Sequence, residues 1–171
     1  VSKILLKFID LFCGIGAFHQ AIINLKNKSI IKDYKCILSC DIDKDAKETY
    51  QKNFDTDLFI NDVKDVSDIN NTYSLLCAGF PCQPFSISGN KRGFNDERAG
   101  LFFKVVDIVK KTNPNFIIIE NSPRLIRNSS YFSVIQNELD NAGYNVNAEI
   151  INSNKFATPK KKNQRLYSCY Q

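Results

Sequence analysis

Residues 4–25, Ile-Leu-Leu-Lys-Phe-Ile-Asp-Leu-Phe-Cys-Gly-Ile-Gly-Ala-Phe-His-Gln-Ala-Ile-Ile-Asn-Leu, decide the fold. Ile4 to Phe12 is apolar and β-prone, Gly14 and Gly16 follow at once, and Ala17 to Leu25 has helical spacing. A strand that passes through a glycine turn into a helix is the first half of a βαβ unit. The rest of the chain keeps that rhythm. Tyr34 to Cys40 reads as a second strand and Asp45 to Phe54 as a helix. Leu58 to Ile60 is a short third strand and Tyr73 to Ala78 a fourth. Gly79 to Arg98, rich in Gly, Pro, Ser and Asn, reads as a long ordered loop. Leu101 to Lys111 is a helix. Phe116 to Ile119 is the most hydrophobic strand and stops at Glu120. Tyr131 to Asn141 is a helix with Gly143 placed to cap it. Tyr144 to Ile151 is a sixth strand and Leu166 to Tyr170 a seventh. The expected class is therefore α/β, an open, doubly wound, mostly parallel sheet of about seven strands.

The totals set bounds. A chain of 171 residues, 43% hydrophobic, predicts a single domain with a real core. Lys and Arg number 23 against 18 Asp and Glu, for a net charge of +5, a balance that mildly favours a polyanionic partner. No stretch has membrane-spanning length, and Asp10 interrupts the longest early apolar run. The start lacks a charged segment followed by a long apolar one, so no signal peptide is expected. The 6 cysteines, at 13, 36, 40, 77, 82 and 169, read as reduced thiols of a cytoplasmic protein rather than a disulfide scaffold. With His19 as the single histidine and no further ligands near the cysteine pairs, no metal site is expected.

In sheets of this class ligands bind where the strands end. Gly14, Asp41, Asp62, Cys82 and Glu120 each fall at such an end. Gly14 and Gly16 permit a tight turn and close approach of a ligand to the backbone. A dinucleotide fingerprint would place a third glycine near position 19, where His19 stands, so a cofactor without a diphosphate is expected. Asp41 is placed to accept from ribose hydroxyls, Asp62 from an adenine amino group, and Phe12 and Ile42 offer apolar faces. That pattern suits S-adenosylmethionine. Cys82 lies between Pro81 and Pro84 in the loop after the fourth strand, a position suited to a nucleophilic thiolate. Glu120 ends the neighbouring strand, with Asn121 beside it to brace the loop. A thiol and a carboxyl beside a methyl donor point to cytosine. Thiolate addition at C6 makes C5 nucleophilic, while a carboxyl protonates or hydrogen-bonds N3. The base must be flipped out of a duplex for this to happen.

These residues closely resemble the DNA cytosine-5 methyltransferase family. Asp10-Leu11-Phe12-Cys13-Gly14-Ile15-Gly16 is similar to its first signature and Ser39 to Asn53 to its second, with Asp41 where Glu is usual. Asn61-Asp62-Val63 resembles the third, and Ala78 to Gly89 is almost a verbatim catalytic loop. Asp96 to Phe103 resembles the next block and Glu120-Asn121-Ser122-Pro123-Arg124-Leu125 the Glu-Asn-Val block. The resemblance implies the S-adenosylmethionine-dependent methyltransferase sheet, whose last strand is antiparallel. It implies cofactor contacts from Phe12, Gly14, Ile15, Gly16, Asp41, Ile42, Asp62, Val63, Pro81 and Leu101. Catalysis falls to Cys82, Glu120 and Arg165, the last reaching the target base. Gln83, Ser86, Ser88, Arg98 and Asn121 are assigned to substrate, and Lys161 and Lys162 to the DNA backbone.

The chain departs from the family around Pro159, where Lys160 replaces Gln and only Arg165 of the usual arginine pair keeps its place. It also stops at Gln171, so residues 1–171 read as a catalytic domain without the target-recognition domain and closing motifs. A fragment, one half of a split enzyme completed by a second chain, and a degenerate domain are the readings this leaves. The expected partners are double-stranded DNA, a complementing chain and a cognate restriction endonuclease, at the nucleoid if the source is bacterial. A tRNA cytosine-5 methyltransferase and an inactive cofactor- or DNA-binding module are the alternatives.

Overall fold

The computed structural model describes residues 5–67, 69, 72–81, 100–152 and 163–170. In chain order the elements begin with β1 (Leu5–Leu11), α1 (Ala17–Asn27), β2 (Asp33–Cys40), α2 (Lys44–Asn53) and β3 (Phe59–Ile60). A 3-10 turn (Val63–Asp65), β4 (Leu75–Ala78), α3 (Gly100–Thr112), β5 (Phe116–Asn121) and α4 (Arg124–Arg127) follow. The chain continues through α5 (Ser129–Asn141), β6 (Asn145–Asn152) and β7 (Asn163–Tyr170). The expected strands and helices appear in the expected order, whereas the 3-10 turn and α4 were not anticipated, and the expected loop lies outside the described residues beyond Pro81. Strand and helix ends shift by one to three residues, and β7 starts earlier than the apolar run Leu166–Tyr170 indicates, because pairing with β6 extends it back to Asn163.

The seven strands form one sheet in the order β3-β2-β1-β4-β5-β7-β6. The β1–β2, β1–β4, β2–β3 and β4–β5 pairs are parallel, whereas β7 runs antiparallel to both β5 and β6. Strands β1 to β3 are laid down outward in one direction and β4 to β6 in the other, with β7 inserted between β5 and β6. The order therefore reverses between β1 and β4, and a crevice opens there at the strand ends.

Both faces of the sheet are buried, as a parallel sheet requires. On one face Ile9, Leu11, Leu76, Ala78, Ile117 and Ile119 meet α3 and α5 through Phe102, Val105, Val109, Ile135 and Leu139. On the other, Phe8, Leu75 and Cys77 pack under Ile22 of α1. Helix ends follow their local chemistry. Asp43 caps α2 by accepting from the Asp45 and Ala46 amides, and Asn128 caps α5 through the Ser130 and Tyr131 amides. Gly143, at φ +91, ends α5 as the sequence indicates, with Tyr144 N–H reaching back to Leu139 O. Among the described residues no helix is long and apolar enough to cross a membrane. The side chains of Cys13, Cys36, Cys40 and Cys77 are buried and form no disulfide.

One irregularity matters for the site. The β1–β2 register shifts between Phe8 and Ile9, so that Phe8 pairs with Cys36 and Ile9 with Leu38. The extra residue, Ile37, is a bulge. It places Cys36 and Ser39, three apart, on one side of β2, where Cys36 Sγ lies 3.3 Å from Ser39 Oγ. Ser39 donates to Tyr50 Oη at 2.7 Å, and His19 Nδ1 lies 2.7 Å from the same oxygen. A buried polar string thus ties β2, α1 and α2 together beneath the ends of β1 and β2.

Candidate functional site

The crevice between β1 and β4 gathers three pieces of chain. The first is the turn after β1. Phe12 and Gly14 have φ values of +56 and +52, and Gly16 one of +92. Gly16 N–H closes the turn on Cys13 O at 2.9 Å, and Gly16 then begins α1 without a side-chain cap. A Cβ at Gly14 would meet nothing within 4 Å, so its face opens on a groove. At Gly16 a Cβ would overlap the Phe54 ring. The two glycines do different work: one leaves a space, and the other admits a side chain of the protein itself.

The second piece is Asp41, just past β2. Its Oδ2 accepts from Gly14 N–H at 2.7 Å and its Oδ1 from Asp43 N–H at 2.9 Å. Asp41 therefore fixes the glycine turn as well as presenting a carboxylate to the groove. Ile42 (74% exposed) and Ile15 (67% exposed) flank it with apolar surface. Asp62, after β3, accepts from Lys64 N–H and starts the 3-10 turn, while the adjacent Val63 is buried in the core.

The third piece leads out of β4. Leu11 is the register partner of Ala78, and Gly79 N–H donates to Leu11 O at 3.2 Å. On the other side β4 pairs with β5, with Ala78 opposite Ile119. A Cβ at Gly79 would lie 3.7 Å from Glu120 Oε2 and 3.9 Å from Phe12 O. Gly79 is thus the point where the glycine turn, the approach to Pro81 and the Glu120 carboxyl meet. Asn121 is 1% exposed, with its Nδ2 donating to Phe80 O at 2.9 Å and its Oδ1 accepting from Ser122 N–H. It holds the start of the Pro81 loop from inside, a bracing position rather than a DNA-facing one.

Pro81 is half-buried at the crevice, and Leu101, in the first turn of α3, packs against the main core. Arg165 stands opposite Asn121 in the β5–β7 register. Cys82, Gln83, Ser86, Ser88, Arg98, Lys161 and Lys162 lie outside the described residues, as does the loop between Pro81 and Gly100. The structure thus gathers Phe12, Gly14, Gly16, Asp41, Pro81 and Glu120 at one end of the sheet.

The groove fits an adenosyl cofactor on its own terms. An open glycine face, a carboxylate fixed at its rim and exposed Ile15 and Ile42 suit an aromatic base on a sugar with vicinal hydroxyls. The nearby basic side chains needed to hold a diphosphate are not among these residues.

Sequence reasoning missed two features. One is the string of His19, Tyr50, Ser39 and Cys36. The other is Asp10, 0% exposed in β1, whose carboxyl oxygens both lack a side-chain hydrogen-bond partner. The signal for Asp10 was present: an acid set between Ile9 and Leu11 in the buried half of the strand.

Comparison with known proteins agrees with this geometry. The family described as C-5 cytosine-specific DNA methylase matches residues 6–169. Type II methyltransferase M.HhaI of Haemophilus parahaemolyticus is 33% identical over 172 residues, covering 97% of this chain and 49% of that protein. Type II methyltransferase M.NlaX of Neisseria lactamica is 38% identical over 165 residues, covering 94% and 50%. The chain spans about half the length of the curated relatives it matches. Among solved structures, the S. pombe Dnmt2 methyltransferase superposes with a TM-score of 0.76 at 25% identity, over 96% of this chain and 50% of that one. The Entamoeba histolytica methyltransferase EhMeth shares the fold, with a TM-score of 0.76 at 24% identity, over 98% and 53%.

Proposed function

Because the chain belongs to the C-5 cytosine-specific DNA methylase family, we propose that it carries the catalytic centre for methylating C5 of a flipped-out cytosine. The observation that carries this reading is the convergence at Gly79 of the cofactor turn, the run leading to Cys82, and Glu120. S-adenosylmethionine, when bound, supplies a methyl group made electrophilic by its sulfonium. The groove residues Phe12, Gly14, Ile15, Asp41, Ile42 and Asp62 would hold it.

The protein's own part is to make C5 react. The Cys82 thiolate adds to C6 of the ring, and the electron pair of the C5–C6 double bond moves toward C5 and N3. Glu120, beside the exit of β4, protonates or hydrogen-bonds N3 and so stabilises the charge that develops there. Once C5 is methylated, the C5 proton passes to water, the double bond re-forms as the Cys82 sulfur leaves as thiolate, and N3 returns its proton to Glu120. Arg165, aligned with Asn121 on the adjacent strand, orients the base. Lys161 and Lys162 neutralise phosphates.

The polymer is the second question. The curated relatives are Type II methyltransferases, which favours double-stranded DNA. The likeness to a Dnmt2 methyltransferase supports the tRNA reading, and the residues at the crevice would serve either nucleic acid. A complementing chain that reads the target, and a cognate endonuclease, belong to the DNA reading. Incubation with S-adenosylmethionine and either duplex DNA or tRNA containing 5-fluorocytosine tests both. Fluorine cannot leave C5 as a proton does, so a covalent adduct through Cys82 is expected with the true substrate. No adduct with either polymer, in the presence of a complementing chain, would reject the methyltransferase reading.

Asp41 gives a separate expectation. Asp41→Ala removes an acceptor from the Gly14 and Asp43 amides and from the cofactor. Loss of charge-assisted hydrogen bonds of this kind costs roughly 1.5–3 kcal/mol. Binding of S-adenosylmethionine, measured by calorimetry, is expected to weaken about ten- to a hundredfold, and an unchanged affinity would remove Asp41 from the site.

A further inference from the structure

Asp10 is a buried acid with no counter-ion. It lies in β1 between Ile9 and Leu11, is 0% exposed, and neither of its carboxyl oxygens has a side-chain hydrogen-bond partner. The groups around it come from every neighbouring element. His19 approaches from α1, with its backbone amide toward the carboxyl, and Tyr50 from α2. Cys36 and the register partner Ser39 lie on β2, and Asp41 just beyond it. Cys77 faces it from β4 and Cys13 from the glycine turn.

None of these groups offers a positive charge at neutral pH. Burial lowers the His19 pKa to about 4, so its ring is neutral. Burial also pushes the Cys13, Cys36 and Cys77 thiols and the Tyr50 phenol upward, so they keep their protons. Asp41 adds charge of the same sign. Burial first and the Asp41 carboxylate second raise the Asp10 pKa to about 8, with the His19 amide offsetting only part of the rise. A carboxyl so placed is mostly uncharged at neutral pH, and a cation arriving from outside favours its ionisation.

The groove is where a cation can arrive. The glycine turn begins two residues after Asp10, a reach of at most about 7 Å of chain. A unit charge resting against that turn lies within roughly 10 Å of the carboxyl, a range at which it alters proton affinity about tenfold. The methyl donor named above is a sulfonium cation, and its demethylated product is an uncharged thioether. We propose that Asp10 holds a proton while the groove is empty and releases it to solvent when S-adenosylmethionine enters, making Asp10 a positioning residue that favours charged donor over neutral product. Only the O–H bond of Asp10 breaks, and the new carboxylate is compensated by the sulfonium. This inference rests on the cofactor reading of the groove.

Calorimetry of the full chain with S-adenosylmethionine and with S-adenosylhomocysteine, in buffers of different ionisation enthalpy, tests it. Near pH 7.5 about half a proton is expected to leave per donor bound beyond any released with the product. The donor-to-product affinity ratio is expected to rise about tenfold in total from pH 6 to pH 9. In Asp10→Asn, which keeps the shape of the neutral acid, the ratio is expected to be flat. Should that variant not fold, infrared difference spectra of the unsubstituted protein give the same answer. The protonated-carboxyl C=O band is expected to fade on adding the donor and to persist with the product. Equal proton release with both ligands, or a carboxyl band unchanged by the donor, overturns the role of Asp10 and leaves the cofactor site standing. Failure of both ligands to bind overturns the cofactor reading and the proton coupling together.

Discussion

Replacement of Cys82 by alanine is expected to lower methyl transfer by about four orders of magnitude or more, with S-adenosylmethionine affinity unchanged. The size follows from the electronics of the substrate. C5 of cytosine is too weak a nucleophile to attack a methyl group until C6 carries the sulfur, so removing the thiol removes the covalent route altogether. Affinity stays level because the groove is built from the turn after β1 and from Asp41, whose described hydrogen bonds run to Gly14 and Asp43. Glu120→Gln is the graded companion. It keeps a donor near the exit of β4, where a Cβ at Gly79 would lie 3.7 Å from the carboxyl, but cannot deliver a proton to N3. A loss of roughly a hundred- to ten-thousandfold is expected, the range for general acid catalysis. Transfer of labelled methyl to the polymer that forms the adduct measures both. If Cys82→Ala transfers methyl at a tenth of the parent rate, the covalent mechanism is wrong.

How far the site could be read from sequence depends on how local its causes are. The turn after β1 was legible because glycine at 14 and 16 answers a local question of φ, and both do adopt positive values. The strand ends were legible because apolar runs stop where polar residues begin. The order of strands, with β4 returning to the far side of β1, follows from the family resemblance more than from pattern. What remained hidden was set by pairing across the sheet. Nothing local to Cys36 or Ser39 says that a bulge at Ile37 turns them the same way, toward Tyr50. His19 reads in sequence as the residue that spoils a dinucleotide fingerprint. In the fold it is 1% exposed, stacked on Phe54 with ring centroids 4.6 Å apart and edge-on to Phe8 at 5.0 Å. A residue expected to mark an absence is the centre of an aromatic cluster. Asn121 shows the same limit from the other side. Its place after Glu120 allowed both a brace for the loop and a contact with substrate, and the three-dimensional path of Phe80 shows its amide engaged as a brace.

Gly16→Ala is expected to be among the most destabilising single-methyl changes this chain can take, and the cause can be divided. Gly16 has φ +92 and ψ +36, beyond the centre of the left-handed region, which costs alanine roughly 1–2 kcal/mol. The new methyl would also overlap the edge of the Phe54 ring. An exposed ring would swing aside, but Phe54 stacks on His19 and lies 5.1 Å from the Tyr50 ring. Tyr50 is 0% exposed and tied to Ser39 and His19, so the push is carried into the polar string. Overpacking of this sort costs about 1–3 kcal/mol, for a total of about 2–5 kcal/mol by denaturant unfolding. A double-mutant cycle separates the parts. Phe54→Ala removes the obstructing ring and leaves the backbone angle as it was. In that background Gly16→Ala is expected to cost only the backbone share, a coupling of about 1–3 kcal/mol. Strict additivity would mean that the ring does not press on Gly16 and that glycine is needed there for its φ alone. The cofactor reading adds a second readout. In the Phe54→Ala background the added stability cost of Gly16→Ala is expected to fall while its loss of S-adenosylmethionine affinity remains, because the groove depends on the turn keeping Gly14 N–H on Asp41, and an alanine at position 16 still strains that turn.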